Sequence, residues 1–236
     1  YGLNKPLGLP IKGEGIPVIP QPGTNRWSGV ALPWMAFGYG LSVTPLQTLT
    51  LYNAVANDGV MVKPIFVSEI KEWNKTIKKF DTQVINPKIC SQETLDKVHA
   101  VLENVVKKGT GSKLYSKDFS MAGKTGTAQV NYKDKSKLYY ASSFVGYFPA
   151  DEPKYSCIVV VHKPNVAAGY YGADVAGPVF KRIAQKIFTD SPSTNHVKNI
   201  DAKVVSQEKK YSEYYKKVEK EERIIPNVKG MDGMDA

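Results

Sequence analysis

The chain has 236 residues, of which 42% are hydrophobic and 23% are charged. That length and composition suffice for one good hydrophobic core, or for one core with a small appendage, and they exclude a chain that is disordered throughout. The formal net charge is +10, but it comes mainly from lysines spread along the whole sequence, so it favours a solvated surface over nucleic-acid binding.

The residue pattern gives little support for a metal site or for a membrane-spanning segment. Cys90 and Cys157 form no C-x-x-C pair, and the histidines have no ligand spacing, so we predict neither a metal centre nor a cofactor. No apolar run approaches the roughly 18 residues that span a bilayer, and no signal peptide opens the chain. The start at Tyr1, in a loop rich in glycine and proline, is typical of a piece cut from a longer protein.

The first half of the chain is predicted from capping residues and composition. Residues 1–43 carry glycine and proline at short intervals, which indicates an extended loop without regular ladders. Thr44 as N-cap, Pro45 at the first helical position and Gly59 beyond the end predict a helix that is buried nearly all round. The segments 61–73 and 76–85 predict two strands.

A second long helix is predicted between Ser91, which suits an N-cap, and Gly109, which suits the C-terminal stop. Its apolar stripe has helical spacing and consists of Leu95, Val98, Leu102, Val105 and Val106. Segments 139–150 and 155–164 predict an antiparallel pair of strands joined by a turn. A last helix is predicted at 172–188, with Val175, Val179, Ile183 and Ile187 on one side. The predicted fold class is α+β, an antiparallel sheet covered by helices.

The composition changes from residue 189 onward. Residues 189–223 are polar and dense in charge, which indicates a linker, although a stripe from Tyr211 to Val218 leaves room for one short amphipathic helix. Residues 224–236 become apolar and contain glycine again, as at the first strand of a new module. We therefore divide the chain into 1–188, 189–223 and 224–236.

The stretch 122–130, AGKTGTAQV, holds the residues best suited to a binding site. The tripeptide Lys-Thr-Gly alone is a weak signal, because random order would give it about 0.12 times in this chain. Its setting is more informative, since the flanking glycines let a ligand or another backbone approach a strand edge. Lys124 offers a positive charge, and Thr125 and Thr127 offer hydroxyls, which suit a carboxylate. Such an edge can bind an extended peptide; an ordinary edge strand with a surface lysine is the alternative.

Three signatures, S-x-x-K, S-D-N and K-T-G, are typical of penicillin-binding proteins and class A β-lactamases. Residues 1–188 resemble the C-terminal part of the transpeptidase domain of a class B, cell-division-type penicillin-binding protein. The resemblance rests on blocks in family order: GYGLSVTPLQ, ANDG, VVKKGTG, AGKTGTAQ, SFVGYFPADEPKYSCIVVV and YYGADVAGPVFKRI. The ending IIPNVKGMDGMDA is similar to the start of a PASTA module. The resemblance implies the fold shared by penicillin-binding proteins and β-lactamases, without its N-terminal half.

The resemblance also implies an activity and roles for the motif. The family's serine D,D-transpeptidases crosslink peptidoglycan stem peptides through an acyl-serine intermediate, and β-lactam antibiotics acylate the same serine. By motif match, Lys124 and Thr125 hold the carboxylate of the substrate or antibiotic, and Gly126 gives clearance. The N–H of Thr127 supplies one of two oxyanion donors, and its hydroxyl adds a carboxylate contact.

Further implications concern the groove rim and the parent protein. Gln129 is a candidate for the rim, and Tyr170 and Tyr171 are candidates either for the rim or for core or surface positions. The resemblance implies a parent anchored in the bacterial cytoplasmic membrane, outside this chain, with its catalytic part on the extracytoplasmic or periplasmic face. Its partners would be divisome proteins and the upstream half of the transpeptidase domain.

The nucleophile and its base are not matched convincingly in this chain. S-x-x-K occurs at Ser68–Lys71 and Ser206–Lys209, and random order would give about 1.8 matches. The family's serine opens a helix, whereas Ser68 lies in a predicted strand and Ser206 in the linker. The S-x-N match at 193–195 follows Lys-Thr-Gly, against family order. We expect the true nucleophile, base and S-x-N motif to precede Tyr1, so the isolated chain is expected to be inactive.

Three other functions remain as alternatives to the transpeptidase. A β-lactam sensor or β-lactamase shares Lys-Thr-Gly, but the TPLQ block and the PASTA-like ending speak against it. A non-catalytic module that binds a peptide along the strand edge fits the isolated chain physically. A nucleic-acid binder rests on net charge alone.

Overall fold

The fold is seen in a computed structural model that describes residues 1–131, 134 and 136–190. The helices are α1 (Ala31–Ala36), α2 (Pro45–Ala56), α3 (Gln92–Lys107) and α4 (Gly172–Asp190), and the strands are β1 (Met61–Val62), β2 (Glu69–Glu72), β3 (Lys75–Lys79), β4 (Val84–Asn86), β5 (Ala122–Val130), β6 (Tyr139–Phe148) and β7 (Tyr155–His162). Helices on both faces of an antiparallel sheet confirm the predicted α+β class. The predicted linker begins at residue 189, but residues 189 and 190 still belong to α4. The rest of that linker, the motif matches within it and the PASTA-like ending lie outside the described residues.

The three long strands form one sheet in the order β5-β6-β7, and each neighbouring pair is antiparallel. Lys124 lies opposite Val145, and Gly126 lies opposite Ser143. Within the described residues β5 pairs with β6 alone, so β5 is an edge strand. The outer row of its backbone N–H and C=O groups is directed away from the sheet.

Alternate side chains of β6 face opposite layers of helices. Phe144 and Phe148 pack against Phe180 of α4, with ring centroids 4.7 and 5.7 Å from the Phe180 ring. Tyr147 is fully buried on the other side, in the cluster that includes Leu95 of α3. One strand therefore contributes to two cores, because successive side chains of a strand point to opposite faces. These cores hold the sheet between α4 on one face and α2 with α3 on the other.

Both long helices begin at their predicted N-caps. Thr44 Oγ1 accepts the Gln47 N–H at 3.1 Å, and Gln47 Oε1 accepts the Thr44 N–H at 2.9 Å, which forms a complete capping box ahead of Pro45. At the start of α3, Ser91 Oγ accepts the Thr94 N–H at 3.3 Å. A cap of this kind stabilises a helix by about 1 kcal/mol. The predictions of these two helices are confirmed.

The prediction of two strands between residues 61 and 85 is wrong, because each predicted strand is split in two. The outer pieces pair as β1 with β4, and the inner pieces pair as β2 with β3. Pro64 has no N–H to donate and interrupts the first segment, and Asp81, a poor strand former, interrupts the second. Trp73 and Asn74 adopt positive φ angles of 47° and 68° in the turn between β2 and β3. This hairpin is exposed, and Trp73 at its tip is 97% exposed.

The branched residues of α4 mark its buried face only in part. Ile187 packs against the core cluster that contains Phe180, whereas two others are exposed. Val179 and Ile183 are 42% and 37% exposed, whereas Ala176, Phe180 and Ala184 are fully buried. Small alanines let the helix come close to the sheet, and the Phe180 ring fills the space between them. Close approach by small residues, which apolar periodicity does not register, thus decides which side of α4 is buried.

The first 43 residues are mainly loop, as predicted, with two exceptions. Helix α1 is six residues long and contributes Ala31 to the buried residues. Val18 and Ser42 form an isolated antiparallel bridge, which the prediction of a loop without ladders did not include. The bridge brings Val18, in the middle of this region, next to the segment that leads into α2.

Candidate functional site

The free edge of β5 carries an ammonium group, hydroxyls and outward backbone groups. Lys124 Nζ donates to the carbonyl oxygen of Thr125 at 3.0 Å and to Thr125 Oγ1 at 3.2 Å. Further along, the Gln129 N–H donates to the Tyr39 hydroxyl at 3.3 Å. The Thr125 carbonyl oxygen and the Gln129 N–H therefore both point away from β6. In an antiparallel strand the backbone groups of every second residue point to the same side. The Thr127 N–H therefore also points outward, as an oxyanion donor must.

Helix α4 begins directly against this strand. The Gly172 N–H donates to Thr127 Oγ1 at 2.9 Å. A Cβ atom on Gly172 would overlap the carbonyl oxygens of Ser143 and Gly126, so the approach requires glycine. Because Thr127 Oγ1 acts as the acceptor, its hydroxyl proton remains able to donate to a ligand. The Thr127 side chain thus fixes the start of α4 while presenting a donor near the strand edge.

Gly126 lies close to a side chain of the neighbouring strand β6. A Cβ atom at this position would overlap Ser143 Oγ on the neighbouring strand. The Ser143 hydroxyl occupies the space that a Cβ atom would need, so a larger residue here would require this hydroxyl to rotate. The clearance that Gly126 would give a ligand stays a prediction.

A loop that follows α3 adds a second hydroxyl beside Thr125. Thr110 Oγ1 lies 3.0 Å from Thr125 Oγ1, and Thr110 is exposed. The ammonium of Lys124 and these two hydroxyls stand together at one end of the free edge. A positive charge with neighbouring hydroxyl donors is a chemical match for a carboxylate, which only accepts hydrogen bonds.

Aromatic side chains border the other end of the edge. Gln129 Nε2 donates to the Tyr140 hydroxyl at 3.1 Å. The Tyr140 ring stacks on Tyr170 with centroids 4.2 Å apart, and Tyr170 lies 4.5 Å from Tyr171. The hydrogen bond that Tyr170 donates to the Tyr171 hydroxyl raises the pKa of Tyr170. These contacts connect Tyr170 and Tyr171, through Tyr140 of β6, to Gln129 on β5. Tyr171 is exposed, and the position of both tyrosines at the rim of a groove stays a prediction.

The S-x-x-K match at Ser68 belongs to a different part of the fold. Ser68 is an exposed residue directly before β2, and its carbonyl oxygen accepts the Phe80 N–H at 2.9 Å. Lys71 Nζ forms an ion pair with Glu69 at 2.7 Å. Ser68 lies ahead of a strand in the separate β2–β3 sheet and does not open a helix.

The structure places the predicted residues Lys124, Thr125, Gly126, Thr127 and Gln129 along one strand edge. Sequence reasoning missed the roles of Thr110, Gly172 and Tyr39, although each lies in a block that resembles the family. Thr110 and Tyr39 are each flanked by two glycines. Glycine at such positions allows close approach of the backbone, and this was the signal in the sequence that could have pointed to them.

Two searches of the described residues bear on metals and membranes. Within 1–131, 134 and 136–190, no group of three or more histidine, cysteine, aspartate or glutamate side chains is arranged to hold a metal ion. No helix in that part of the chain has the length and apolarity needed to span a bilayer.

Comparison with known proteins gives a consistent family likeness. The family model for the penicillin-binding protein transpeptidase domain matches residues 1–185. Stage V sporulation protein D of Bacillus subtilis is 32% identical over 246 residues, covering 100% of this chain and 34% of that protein. Peptidoglycan D,D-transpeptidase FtsI of Buchnera aphidicola is 34% identical over 191 residues, covering 79% of this chain and 31% of that protein.

The crystal structure of penicillin-binding protein 3 from Mycobacterium tuberculosis, complexed with aztreonam, has a TM-score of 0.66 and 28% identity to this chain. The match covers 81% of this chain and 44% of the crystallised one. The chain therefore spans about a third of the length of the two sequence relatives, and less than half of this solved structure.

Proposed function

Because the chain belongs to the penicillin-binding protein transpeptidase family, we propose that it is part of a serine D,D-transpeptidase that crosslinks peptidoglycan stem peptides. In this proposal a serine attacks the D-Ala-D-Ala carbonyl, a lysine takes its proton, and the amine of a second stem peptide resolves the acyl ester. β-Lactam antibiotics acylate the same serine. The names of the FtsI relative and of the aztreonam complex support this activity.

The observation that carries the proposal is the free edge of β5. Lys124 and Thr125 would hold the terminal carboxylate of the donor peptide through charge and hydroxyl, and the Thr127 hydroxyl would add a contact. The outward N–H of Thr127 would stabilise the negative charge that develops on the attacked carbonyl oxygen, and a donor of this kind contributes about 3 kcal/mol. These roles are supported by the hydrogen bonds of Lys124 Nζ to the carbonyl and hydroxyl oxygens of Thr125 and by the outward direction of the Thr127 N–H.

The aromatic border would limit how far a peptide can lie along the strand. The Gln129 N–H already donates to Tyr39, so strand addition by an extended substrate would end before this residue. Gln129, Tyr170 and Tyr171 would then contact the part of the substrate beyond the reacting carbonyl. A short paired segment suits a stem peptide better than a long extended ligand, which favours the transpeptidase over a general peptide-binding module.

The nucleophile, its base and the S-x-N motif would belong to the part of the parent that precedes residue 1. The only S-x-x-K match among the described residues is a poor candidate for the catalytic pair. Ser68 precedes a strand of the separate hairpin, and Lys71 is paired with Glu69. We propose that the chain alone is inactive and that the active site forms when the upstream part of the domain faces β5. The parent would be anchored in the cytoplasmic membrane, act on its outer face with divisome partners, and continue into a PASTA module.

The test is labelling of the full-length parent with a fluorescent penicillin. Lys124→Ala is expected to slow acylation by about 100-fold, because the antibiotic carboxylate loses a charge-assisted hydrogen bond. Lys71→Ala is the matched control and is expected to label at the rate of the unaltered protein. Equal labelling of Lys124→Ala would contradict the role of Lys124, and loss of labelling in Lys71→Ala would make Ser68–Lys71 the catalytic pair. Rapid hydrolysis of the adduct would favour a β-lactamase.

A further inference from the structure

We propose that Thr110 is a positioning residue that orients the Thr125 hydroxyl toward the substrate carboxylate. The inference rests on the proposed function and extends it to a residue outside the Lys-Thr-Gly motif. Thr110 Oγ1 lies 3.0 Å from Thr125 Oγ1, across the gap between the loop after α3 and the edge of β5.

The loop holds Thr110 in place from both sides. The Gly109 N–H donates to the Asn104 carbonyl oxygen at 2.9 Å, and the Gly111 N–H donates to the Val105 carbonyl oxygen at 2.9 Å. These bonds tie both neighbours of Thr110 to the last turn of α3. A Cβ atom on Gly111 would lie 3.2 Å from the Val105 carbonyl oxygen, so glycine gives the loop this close path. With its neighbours fixed, Thr110 is the residue whose side chain meets the strand.

The chain beyond Thr110 is anchored in the core and on α4. Leu114 is 2% exposed and belongs to the cluster that also contains Phe180. Lys113 Nζ pairs with Asp174, in the first turn of α4, at 2.6 Å. The loop is thus connected to the same helix whose first residue contacts Thr127. The hydroxyl of Thr110 is therefore set by packed elements, as a positioning group must be.

The direction of the hydrogen bonds follows from which groups hold protons. The Lys124 ammonium only donates, and it donates to Thr125 Oγ1 at 3.2 Å. A threonine hydroxyl has one proton, and a carboxylate only accepts. When Thr125 gives its proton to a bound carboxylate, the bond between the two hydroxyls can persist only if Thr110 is the donor. Thr110 thus satisfies a lone pair of Thr125 and leaves the Thr125 proton directed at the ligand.

If Thr110 acts in this way, the effect of its hydroxyl on the acylation rate should require both Thr125 and a free carboxylate on the ligand. Without the Thr110 hydroxyl, Thr125 loses the partner that fixes its proton, and binding of the carboxylate in the transition state weakens. The loss of one such bond corresponds to about a tenfold slower acylation. A ligand whose carboxylate is blocked as an ester should react at the same rate with and without the Thr110 hydroxyl.

The test measures second-order acylation rates of the full-length parent with benzylpenicillin and with its methyl ester. Thr110→Val is expected to slow benzylpenicillin about tenfold and to leave the methyl ester rate unchanged. Thr110→Ser, which keeps the hydroxyl, is expected to restore the rate to within about twofold. Thr76→Val is the matched control, since it removes a hydroxyl that is bonded to Glu69 on the distant hairpin. Thermal unfolding of each variant shows that it is folded.

A double-mutant cycle separates action through Thr125 from an independent effect. In a Thr125→Val background, adding Thr110→Val is expected to change the rate by less than about twofold. Three results would each overturn the inference. These are additive losses in the double variant, a Thr110→Val rate equal to that of the unaltered protein, and an equal loss of rate with the methyl ester. If Thr110→Val misfolds, failure of Thr110→Ser to label normally also overturns it. A parent that forms no adduct at all overturns the proposed function itself.

Discussion

Gly172 determines how closely α4 can approach the site strand. Its N–H donates to Thr127 Oγ1, and the space for a Cβ atom is filled by the carbonyl oxygens of Ser143 and Gly126. Backbone oxygens cannot rotate aside as the end of a side chain can. A larger residue must therefore displace either the start of α4 or the middle of β5. Either movement shifts the outward N–H of Thr127.

Gly172→Ala is expected to slow acylation of the full-length parent by benzylpenicillin about 100-fold, because a shift of roughly 1 Å in a reacting group has an effect of this size. The same overpacking is expected to lower the free energy of unfolding by about 1–3 kcal/mol. Gly29→Ala is the control, since a Cβ atom there meets nothing within 4 Å. Acylation kinetics and thermal unfolding measure the two effects. An unchanged acylation rate would show that β5 does not depend on glycine at the start of α4.

The contrast between Lys124 and Thr110 shows how far a site can be predicted from sequence. Lys124, Thr125 and Thr127 are neighbours in the chain, so their chemistry can be interpreted from one short motif. The partners of these residues are distant in sequence: Thr110 precedes Thr125 by 15 positions, and Gly172 follows Thr127 by 45. Such contacts depend on how elements pack, and neither composition nor periodicity contains that information.

Secondary-structure elements show the same contrast between features set by neighbouring residues and features set by packing. The starts of α2 and α3 were predictable because their caps are bonds between residues three positions apart. The buried face of α4 was predicted only in part, because it also depends on how closely small residues let the helix approach the sheet. The β2–β3 hairpin was predicted incompletely, since the alternation of apolar residues does not show where a strand is interrupted. Local bonds thus predict where helices begin, and packing decides which sides they bury.

Phe180 and Trp73 provide a test of how much each element contributes to stability. Phe180 is fully buried between Phe144 and Phe148, so Phe180→Ala is expected to cost about 3–5 kcal/mol. For a domain of this size, that corresponds to a midpoint of thermal unfolding lower by about 10 °C. Trp73→Ala is expected to change stability by less than about 0.5 kcal/mol, since Trp73 is 97% exposed. The loss of penicillin labelling after heating gives the midpoint. A large effect of Trp73→Ala would mean that the hairpin tip is covered in the parent.

At the scale of the whole molecule, the apolar surface of the chain fits a domain that is completed by another segment. Leu32 of α1 is 65% exposed, and Val179 and Ile183 of α4 are each more than a third exposed. The structural match covers 44% of the penicillin-binding protein 3 chain from Mycobacterium tuberculosis. A hydrophobic surface of this kind is stabilised when a partner segment removes it from water. We therefore expect the upstream part of the parent to cover these residues and to bring the nucleophile to β5.

Expression of the parent as two polypeptides, divided immediately before residue 1, tests this expectation directly. The chain alone is expected to bind a hydrophobic dye and to remain unlabelled by fluorescent penicillin. Together the two polypeptides are expected to lose the dye signal and to regain labelling, because each covers the apolar surface of the other. A denaturing gel separates them and should place the label on the upstream polypeptide, which would carry the serine. Lys124→Ala in this chain should slow the appearance of that label about 100-fold, although the altered residue and the label lie on different polypeptides. A label on this chain would show instead that it contains its own nucleophile.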